Sequence, residues 1–350
     1  MTKARTLSDL AGRLGLSVAT VSRALADHDQ IALGTRQRVM QAARELGYVP
    51  NRAAQALVSG RSGFVGFVLP LRGRGLADQF LGQFLSALAE GVAARDLDLL
   101  ISAAPREKSE LRQLHSLATS ARVDGLVLGR IEAADARVAL LQELGLPFVT
   151  HGRLLGSEDG YTWVDTDGAA AFGEAFDMLH ALGHRRFGLL TIDQPMTFAQ
   201  LREDGLRAAI ARRADPDVTL KVIAAPRYDL PARAGAVDAM LSGPDRPTAV
   251  LALFDGLAID LLTAAARGGL SVPDDLTVVG FDNVPAAAYA PPGLTTFDAC
   301  IQDCATTIAG MLADRLANPK AAHTNRLVQP MPVLRGSHGG APEQVRQLRA

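Results

Sequence analysis

A short segment near the N-terminus, LGLSVATVSRALADH from Leu14 to His28, combines an apolar face with side chains that could recognise a ligand. Its apolar residues follow the three-to-four spacing of a helix with one buried face. Thr20, Ser22 and Arg23 fall off that spacing, and such side chains can bond to base edges or phosphates of DNA. A solvated polar face on a small helical bundle explains the same pattern. The segment alone leaves both interpretations open.

Signatures of catalysis are missing from the sequence. There is no Walker loop, no nucleophile elbow and no GxGxxG loop after the first predicted strand. His180 and His184 have metal-like spacing but no third ligand. Cys300 and Cys304 lie four residues apart on one predicted helix face, and we expect both to be small buried residues. The sequence therefore predicts no enzyme, no cofactor and no metal site.

Charge is distributed unevenly along the 350 residues. Residues 1–62 carry nine basic and four acidic side chains, a formal charge of +5, which leaves −6 on the rest of a chain whose net charge is −1. A small basic domain joined to a larger acidic one predicts that only the first part meets a polyanion. No apolar run approaches the roughly 18 residues of a membrane span, and the N-terminus lacks a secretory h-region. We therefore expect a cytoplasmic protein with no membrane span.

The elements that must position these residues begin with three short helices. The first ends at Gly15, Ser17 is predicted to cap a second over Val18 to Ala26, and Thr35 to cap a third over Arg36 to Leu46. The connection of about three residues between the first two fits a helix-turn-helix corner.

The next segment, Arg52 to Val58, is capable of forming a helix of only two turns. Such a helix is too short to be stable alone in water, so it should fold only against something else. Gly60, Ser62 and Gly63 then form a flexible joint.

From Phe64 onward, apolar strand-like runs alternate with amphipathic helices. Eight candidate strands begin at Phe64, Leu97, Val123, Pro147, Arg186, Leu220, Thr248 and Leu276. The helices between them include Phe80 to Ala94, Ala169 to Leu182, Phe198 to Arg212 and Gly256 to Arg267. This alternation predicts parallel sheets covered on both faces, in two consecutive doubly wound subdomains that separate near Gly160. Ligand space is expected in the cleft at the carboxyl ends of the strands.

Two N-terminal motifs carry a family resemblance. TLSDLAGRLGLSVATVSRAL, followed by TRQRVMQAARELGYVPNRAAQALVSGRSGFVGFVLP, resembles the LacI/GalR family of transcriptional regulators. The match continues through LGHRRFGLL, LREDGLRAAI, VVGFDNV and PPGLTT, and it covers Thr6 to about Leu334. HGR at His151 and WVDTD at Trp163 are similar to α-glucoside-type regulators.

The resemblance implies an N-terminal all-α helix-turn-helix domain with a hinge helix, followed by an α/β core like that of periplasmic binding proteins. The boundaries that we expect are 1–50 for the helix-turn-helix domain, 51–62 for the hinge helix and linker, 63–335 for the effector-binding and dimerisation core, and 336–350 for a flexible tail. Within the core, 63–160 and 294–320 should form the N-subdomain, and 161–293 and 321–335 the C-subdomain.

The resemblance also implies a set of DNA contacts. They are Thr6, Leu7, Ser17, Val18, Ala19, Thr20, Ser22 and Arg23 in the major groove or on phosphates, and Asn51, Arg52, Ala54 and Leu57 in the hinge helix. Leu57 would wedge into a base step of the minor groove, which agrees with the kinking effect of apolar wedges. Val18 and Ala19 replace a larger polar pair that some members use. They can offer only apolar contact, so the operator sequence does not follow from the family.

For an effector in the cleft, Arg202 and Asp282 match residues that the family uses against ligand hydroxyls, and these two side chains suit a sugar. A structural ion pair is the alternative explanation for either residue. Phe254 stands where many members carry an asparagine, and Asp255 is expected to cap the helix that begins at Gly256. The full set of expected effector contacts is Asp78, Phe80, His151, Arg153, Phe198, Arg202, Phe254 and Asp282.

We therefore predict a DNA-binding transcriptional regulator, a repressor that binds a pseudo-palindromic double-stranded operator as a homodimer and responds to a small-molecule effector, a sugar. The C-terminal tail has too few apolar residues for the heptads of a tetramerising helix. The rival interpretation is a sugar-binding protein of a transport system, and an enzyme that uses the cleft is a distant third.

Overall fold

The protein was analysed as a computed structural model that describes residues 6–25, 28–48, 60–70, 79–104, 107–156 and 159–342. The chain divides between Gly63 and Phe64 into two compact units. The predicted hinge helix and its four candidate contacts, Asn51, Arg52, Ala54 and Leu57, lie outside the described residues, as does Asp78. None of the described helices is both long enough and apolar enough to cross a bilayer.

The first unit is built from three helices, α1 (Leu7–Leu14), α2 (Val18–Leu25) and α3 (Leu33–Leu46). Thr6 and Asp9 close a capping box at the start of α1, in which the Asp9 N–H donates to Thr6 Oγ1 over 3.2 Å. Gly15 ends α1 at a φ of 64°, a conformation that glycine adopts without a steric penalty. This left-handed residue turns the chain into α2 and forms the predicted corner.

The three helices share one small apolar core. It consists of Leu10, Ala11, Val21, Ala24, Val39, Ala42 and Ala43, with Leu7, Leu14, Leu16, Leu25, Ile31, Leu46 and Tyr48 packed around it. The Ser17 cap is confirmed, because the Thr20 N–H donates to Ser17 Oγ over 3.1 Å. The Thr35 cap was wrong: α3 begins at Leu33, after Ala32 at the N-cap position, so the first turn already includes Thr35.

The second unit begins with a six-stranded parallel sheet in the order β11-β5-β4-β3-β1-β2. Its strands are β1 (Phe64–Pro70), β2 (Asp98–Ala104), β3 (Gly125–Gly129), β4 (Phe148–His151), β5 (Thr162–Thr166) and β11 (Asn325–Val328). The helices that connect and cover it are α4 (Gln79–Ala93), α5 (Glu107–Thr119), α6 (Ala136–Leu144) and α12 (Ile301–Ala317). The near-continuous burial of β1 and β3 is typical of a sheet covered on both faces.

A second parallel sheet has the strand order β7-β6-β8-β9. Its strands are β6 (Arg186–Ile192), β7 (Thr219–Ala225), β8 (Ala249–Ala252) and β9 (Thr277–Val279). Its helices are α7 (Gly168–Ala181), α8 (Thr197–Arg213), α9 (Leu230–Leu241), α10 (Asp255–Arg267) and α11 (Pro285–Tyr289). The core of two doubly wound subdomains predicted from the alternating pattern is thereby confirmed.

The expected subdomain boundaries need correction. The chain leaves the first sheet after Thr166 rather than near Gly160, because Thr162–Thr166 pairs with β4. Asn325–Val328 also pairs in the first sheet, beside β5, although 161–293 and 321–335 were assigned to the C-subdomain. The chain passes between the two sheets twice more, at β10 (Thr296–Asp298) and at β12 (Met331–Val333). These two segments pair with each other as antiparallel strands.

The predicted flexible tail is packed against the second sheet over its described part, 336–342. Ser337 is fully buried, accepts a hydrogen bond from the Thr295 N–H over 2.8 Å and donates to the Val278 carbonyl over 2.6 Å. His184 contacts the Gly339 carbonyl over 3.0 Å. The small and polar composition of this stretch concealed its role, because it is fixed by hydrogen bonds rather than by apolar burial.

Candidate nucleic-acid interface and ligand cavity

Six of the twelve predicted DNA contacts lie in α2 or at Ser17, which directly precedes it. Val18 is 46 % exposed, Ser17, Ala19 and Arg23 are exposed, and Thr20 is half-buried, as is Ser22. Val21 and Ala24 lie in the core, so the helix separates a packing face from a solvent face as its sequence predicts. The Ser17 hydroxyl caps the helix and lies 2.8 Å from Thr20 Oγ1, which orients both polar groups at the N-terminal end of α2.

Two further predicted contacts lie at the start of α1. Thr6 is exposed, and its Oγ1 donates to Asp9 Oδ2 over 2.9 Å. Leu7 is half-buried and packs against the three-helix core. Backbone N–H groups at a helix N-terminus favour a phosphate, which makes this end of α1 suitable for a backbone contact. The DNA contacts of these residues remain predictions.

A cavity of about 590 Å³ lies between the two sheets of the second unit, at the carboxyl ends of their strands. Its volume lies within the range of small-molecule sites, about 300–1,000 Å³. Six of the eight predicted effector residues line it: Phe80, His151, Phe198, Arg202, Phe254 and Asp282. Arg153 is not among the lining residues and contacts Asp165 instead, with Arg153 Nε 3.7 Å from Asp165 Oδ2.

Arg202 is a buried charged residue of the cavity lining. Its Nη1 donates to the Leu253 carbonyl, its Nη2 lies 3.9 Å from Asp282 Oδ1, and its guanidinium lies 3.7 Å from the Phe281 ring centroid. Gly168 makes this position possible, since a Cβ there would be 2.8 Å from Arg202 Cγ. Within the described structure Nε of this buried guanidinium has no hydrogen-bond partner.

His151 ends β4 beside Arg202. Its ring lies 5.2 Å from the Phe84 ring and 5.9 Å from the Phe80 ring. Burial, reinforced by the positive charge of Arg202, lowers the pKa of His151 to about 4. The imidazole is therefore neutral at neutral pH, and its buried Nε2 finds no hydrogen-bond partner in the part of the chain that is described.

Asp165, in β5, is a cavity residue that the sequence interpretation missed. Oδ1 accepts the Thr166 N–H over 2.9 Å, whereas the buried Oδ2 accepts no hydrogen bond from any described residue. Burial raises the pKa of Asp165 to about 6, against the opposing charge of Arg153. Arg153 in turn lies over the Trp163 ring at 5.1 Å. The available signal was its place in WVDTD, directly before a helix start and therefore at a strand end.

The cavity lining includes further residues that the sequence interpretation missed, Arg227, Tyr228, Arg233 and Asp260. The Arg227 guanidinium lies between 5.5 and 5.9 Å from the rings of Phe198, Tyr228 and Phe254. Arg233 Nη2 pairs with Asp260 Oδ2 over 2.8 Å, and both residues line the cavity. Arg227 and Tyr228 directly follow β7, so the strand-end rule could have found them.

Asp255 does not cap its helix, which corrects the expectation. It is the first residue of α10, after Phe254 at the N-cap, and its carboxylate is fully buried. Oδ1 accepts the Thr296 hydroxyl over 2.6 Å and Oδ2 accepts the Val284 N–H over 2.9 Å. Burial raises the pKa of Asp255 to about 6. Its carboxylate ties the end of the second sheet to β10 and is fully engaged there.

A polar network fixes the loop that carries Asp282. Asp282 has a φ of 111°, an unfavourable value for a residue with a side chain. The neighbouring Asn283 donates to Asp298 Oδ2 over 2.9 Å and accepts from Arg335 Nη2 over 2.8 Å. The strained backbone is thereby held from the crossing strand β10 and from the segment after β12.

The histidine and cysteine pairs have structural partners. His180 Nε2 lies 2.8 Å from Asp215 Oδ2, and His184 Nδ1 lies 2.9 Å from Thr248 Oγ1. Cys304 is buried as expected, but Cys300 is the half-buried N-cap residue of α12. No cluster of three potential metal ligands occurs in the described ranges.

Comparisons with known proteins cover both units. Residues 6–51 match the family described as bacterial regulatory proteins, lacI family, and residues 176–338 match a periplasmic binding protein-like domain. The HTH-type transcriptional regulator AglR of Rhizobium meliloti (strain 1021) is 33 % identical over 344 residues, which cover 97 % of this chain and 95 % of that protein.

Two further similarities extend along the chain. The HTH-type transcriptional repressor CytR of Escherichia coli (strain K12) is 28 % identical over 97 % of this chain and 98 % of its own length. A structure of the transcriptional regulator CelR in complex with cellobiose superposes with a TM-score of 0.71 at 26 % identity, covering 95 % of this chain and 99 % of that one.

Proposed function

Because the chain belongs to the LacI family of bacterial regulatory proteins and is therefore a DNA-binding transcriptional regulator, we propose that a sugar bound in the cavity between the two sheets controls its binding to DNA. One observation carries this proposal. Among the described residues, the cavity lining brings together the imidazole of His151, the guanidinium of Arg202 and the carboxylates of Asp165 and Asp282. The side chains of Asp165, Arg202 and Asp282 are 8, 9 and 11 % exposed, and the hydroxyl groups of a ligand can bond to these accessible parts.

The chemistry of these groups favours a neutral polyol. The Asp165 carboxylate accepts hydrogen bonds, Arg202 donates them, and the neutral imidazole of His151 can do either. Asp282, 3.9 Å from Arg202, adds a second carboxylate on the same side. Adjacent hydroxyl groups of a sugar can bond to such donors and acceptors in pairs. The relative CelR was solved with a sugar, cellobiose, which supports this ligand class.

The proposed regulation follows from the position of the cavity. A ligand that binds both sheets stabilises one arrangement of the two subdomains, and a homodimer would transmit this choice to its paired DNA-binding units. We propose that the protein acts as a repressor in the cytoplasm, where it meets its operator. The two N-terminal units would contact half-sites of a pseudo-palindrome through the outer face of α2.

The rival interpretation as a transport protein has no support. The relatives that match over nearly the whole chain are named as transcriptional regulators, and their matches include the helix-turn-helix unit.

The proposal is tested by thermal unfolding of the full-length protein with a panel of sugars. A ligand that binds only the folded state must raise the melting temperature, and at 100 times its Kd it stabilises by about 2.7 kcal/mol. Arg202→Lys should abolish the shift, because lysine keeps the charge but cannot make two parallel hydrogen bonds. The matched control is Arg212→Lys on the same helix, where Arg212 is exposed and pairs with Asp177 over 2.7 Å.

Two outcomes would refute the proposal. One is the absence of any shift with the whole panel. The other is a shift that persists undiminished in Arg202→Lys and also in Asp165→Asn, each first shown to unfold cooperatively without ligand.

A further inference from the structure

The two subdomains of the second unit contact each other directly beside the cavity. The Thr197 N–H donates to the Ile131 carbonyl over 2.9 Å, and the Thr197 hydroxyl donates to the same oxygen over 3.1 Å. The Ala133 N–H donates to the Pro195 carbonyl over 2.9 Å. Ile131 and Thr197 also line the cavity, so these three hydrogen bonds join the subdomains at its wall.

We call residues 131–133 and 195–197 the latch. Its centre is shielded from water, because Ile131, Met196 and Thr197 are 1, 5 and 1 % exposed. Separation of the subdomains would return the bonded groups to water, so each bond contributes only its net value relative to water. That net value favours the joined arrangement by roughly twofold to tenfold for each bond.

The latch lies away from the places where the chain crosses between the subdomains. The crossings follow β5, lie at β10 and connect β11 to β12. In the first sheet β3, which precedes the latch, lies two strands from β5. In the second sheet β6, which also precedes the latch, lies two strands from β9, and β9 is bridged from Val279 to Thr295, directly before β10. Two strand spacings are about 10 Å, so a rotation about the crossings pulls the latch apart.

A buried ion pair fixes the first half of the latch. Arg137 Nη2 donates to Asp135 Oδ2 over 2.6 Å and to the Arg130 carbonyl over 2.8 Å. Arg130 has a φ of 54°, a value that a residue with a side chain rarely adopts. Arg137 holds this turn in place, and the turn presents the Ile131 carbonyl to Thr197.

The second half of the latch is the start of α8, the helix that carries Phe198 and Arg202 to the cavity. Thr197 is the first residue of α8, and an N–H in the first turn of a helix has no partner within that helix. Met196, at the N-cap position, supplies no side-chain cap. The Ile131 carbonyl of the other subdomain takes the place of a cap, so opening of the latch also frays the start of α8.

We propose that the latch holds the two subdomains closed before the effector binds, and that the Thr197 hydroxyl sets the balance between the closed and the open form. The regulatory part of this inference rests on the proposed function, since a ligand that binds both sheets then meets a cavity that is already formed. A lower closed fraction weakens effector binding in proportion to that fraction.

The test is hydrogen exchange of the full-length protein with no sugar added, read at single amides by mass spectrometry. The amides of Thr197 and Ala133 report on the latch, because the bonds that protect them cross between the subdomains. We expect both amides to be protected in the wild type. Thr197→Val keeps the N–H and the shape of the side chain but loses the hydroxyl, so it should speed the exchange of both amides roughly twofold to tenfold. Thr197→Ser keeps the hydroxyl and should retain the protection.

The matched control is Thr306→Val, which removes a hydroxyl that donates to the Gln302 carbonyl of its own helix, α12, over 2.8 Å. It should leave the exchange of the Thr197 and Ala133 amides unchanged. Exchange of these amides at the unprotected rate in the wild type overturns the inference, and so does equal exchange in the wild type and Thr197→Val. Either result leaves the proposed function standing, because no sugar enters the measurement. A protected latch in a protein that binds no sugar supports the latch and rejects the proposed function.

Discussion

Replacing His151 with phenylalanine should stabilise the protein while abolishing its response to sugar. The His151 ring already packs beside Phe80 and Phe84, at 5.9 and 5.2 Å, so a phenyl ring can occupy the same space. The substitution removes a buried ring nitrogen that has no hydrogen-bond partner in the described ranges. Leaving such a group unpaired costs about 1–3 kcal/mol, which is the gain in stability expected at pH 7.

The pH dependence of the free energy of unfolding gives a second quantity that His151→Phe should change. The pKa of His151 is about 4 in the folded protein, because of burial and the charge of Arg202, against 6.5 in the unfolded chain. Between these two values the unfolded state binds a proton that the folded state does not, so stability is lost as the pH falls from 6.5 to 4. At 1.36 kcal/mol per pKa unit, the loss is about 3 kcal/mol. His151→Phe cannot suffer this loss. The raised pKa values of Asp165 and Asp255 act in the opposite direction but are common to both proteins and cancel in the comparison.

The assay is urea unfolding followed by tryptophan fluorescence between pH 7 and pH 4.5. The only tryptophan of the chain, Trp163, lies in β5 beside the cavity, so it reports on the core rather than on the N-terminal unit. His115→Phe, which replaces an exposed histidine of α5, should change neither the stability at pH 7 nor the sugar response. A constant stability difference between wild type and His151→Phe across this pH range would show that His151 is not held neutral in the folded protein, and a loss of stability at pH 7 would show that its buried ring nitrogen carries no cost.

Two further predictions concern the DNA-binding face and the packing of the core. Arg23→Ala should weaken operator binding by about 1–3 kcal/mol if Arg23 bonds to a base, or reduce the salt dependence of binding by about one phosphate contact if it bonds to the DNA backbone. Fluorescence anisotropy over a salt series measures both quantities. The predicted role is wrong if neither quantity changes more than in the control Arg13→Ala, whose arginine pairs with Glu45 over 3.0 Å. Gly205→Ala should destabilise the core by about 3 kcal/mol or more in urea unfolding, because its Cβ would lie 2.2 Å from the Ala169 carbonyl oxygen of α7. Gly235→Ala is the control, because no heavy atom lies within 4 Å of a Cβ added there, and it should stabilise α9 by about 0.5–1 kcal/mol. Equal effects of the two substitutions would show that the close contact of α7 and α8 does not determine the loss of stability in Gly205→Ala.

The parts of the fold that the sequence predicts are those dominated by apolar burial. The eight predicted strands all occur, because each is a run rich in aliphatic residues, which are buried in central strands such as β1 and partly exposed in β2 and β7. The strand β5 escaped prediction because TWVDT includes two threonines and an aspartate, all of them buried. The pair β10 and β12 comprises three residues per strand, too few for a periodic signal.

Some residues of the candidate site were predicted from the sequence and others were not. Arg202, His151 and Asp282 were predicted because family motifs contain them. Asp165 lies in the WVDTD motif but was given no role there, and Tyr228 belongs to no motif that was used. Which strand ends face the same cavity depends on long-range packing of two sheets, which a local pattern does not encode. Arg153 was predicted to contact the effector because it follows β4, but this prediction was wrong. Its side chain contacts Asp165 and lies over Trp163 instead of lining the cavity.

The central claim is that a sugar in the cavity controls the binding of DNA. The direct measurement is the affinity of the full-length protein for a promoter fragment that contains its operator, with and without a sugar that raises its melting temperature. We predict that the sugar changes operator affinity by about 5-fold to 150-fold, the usual range of allosteric coupling, and that Arg202→Lys abolishes the change. An operator affinity that is the same with and without saturating sugar would show that the cavity ligand does not control DNA binding.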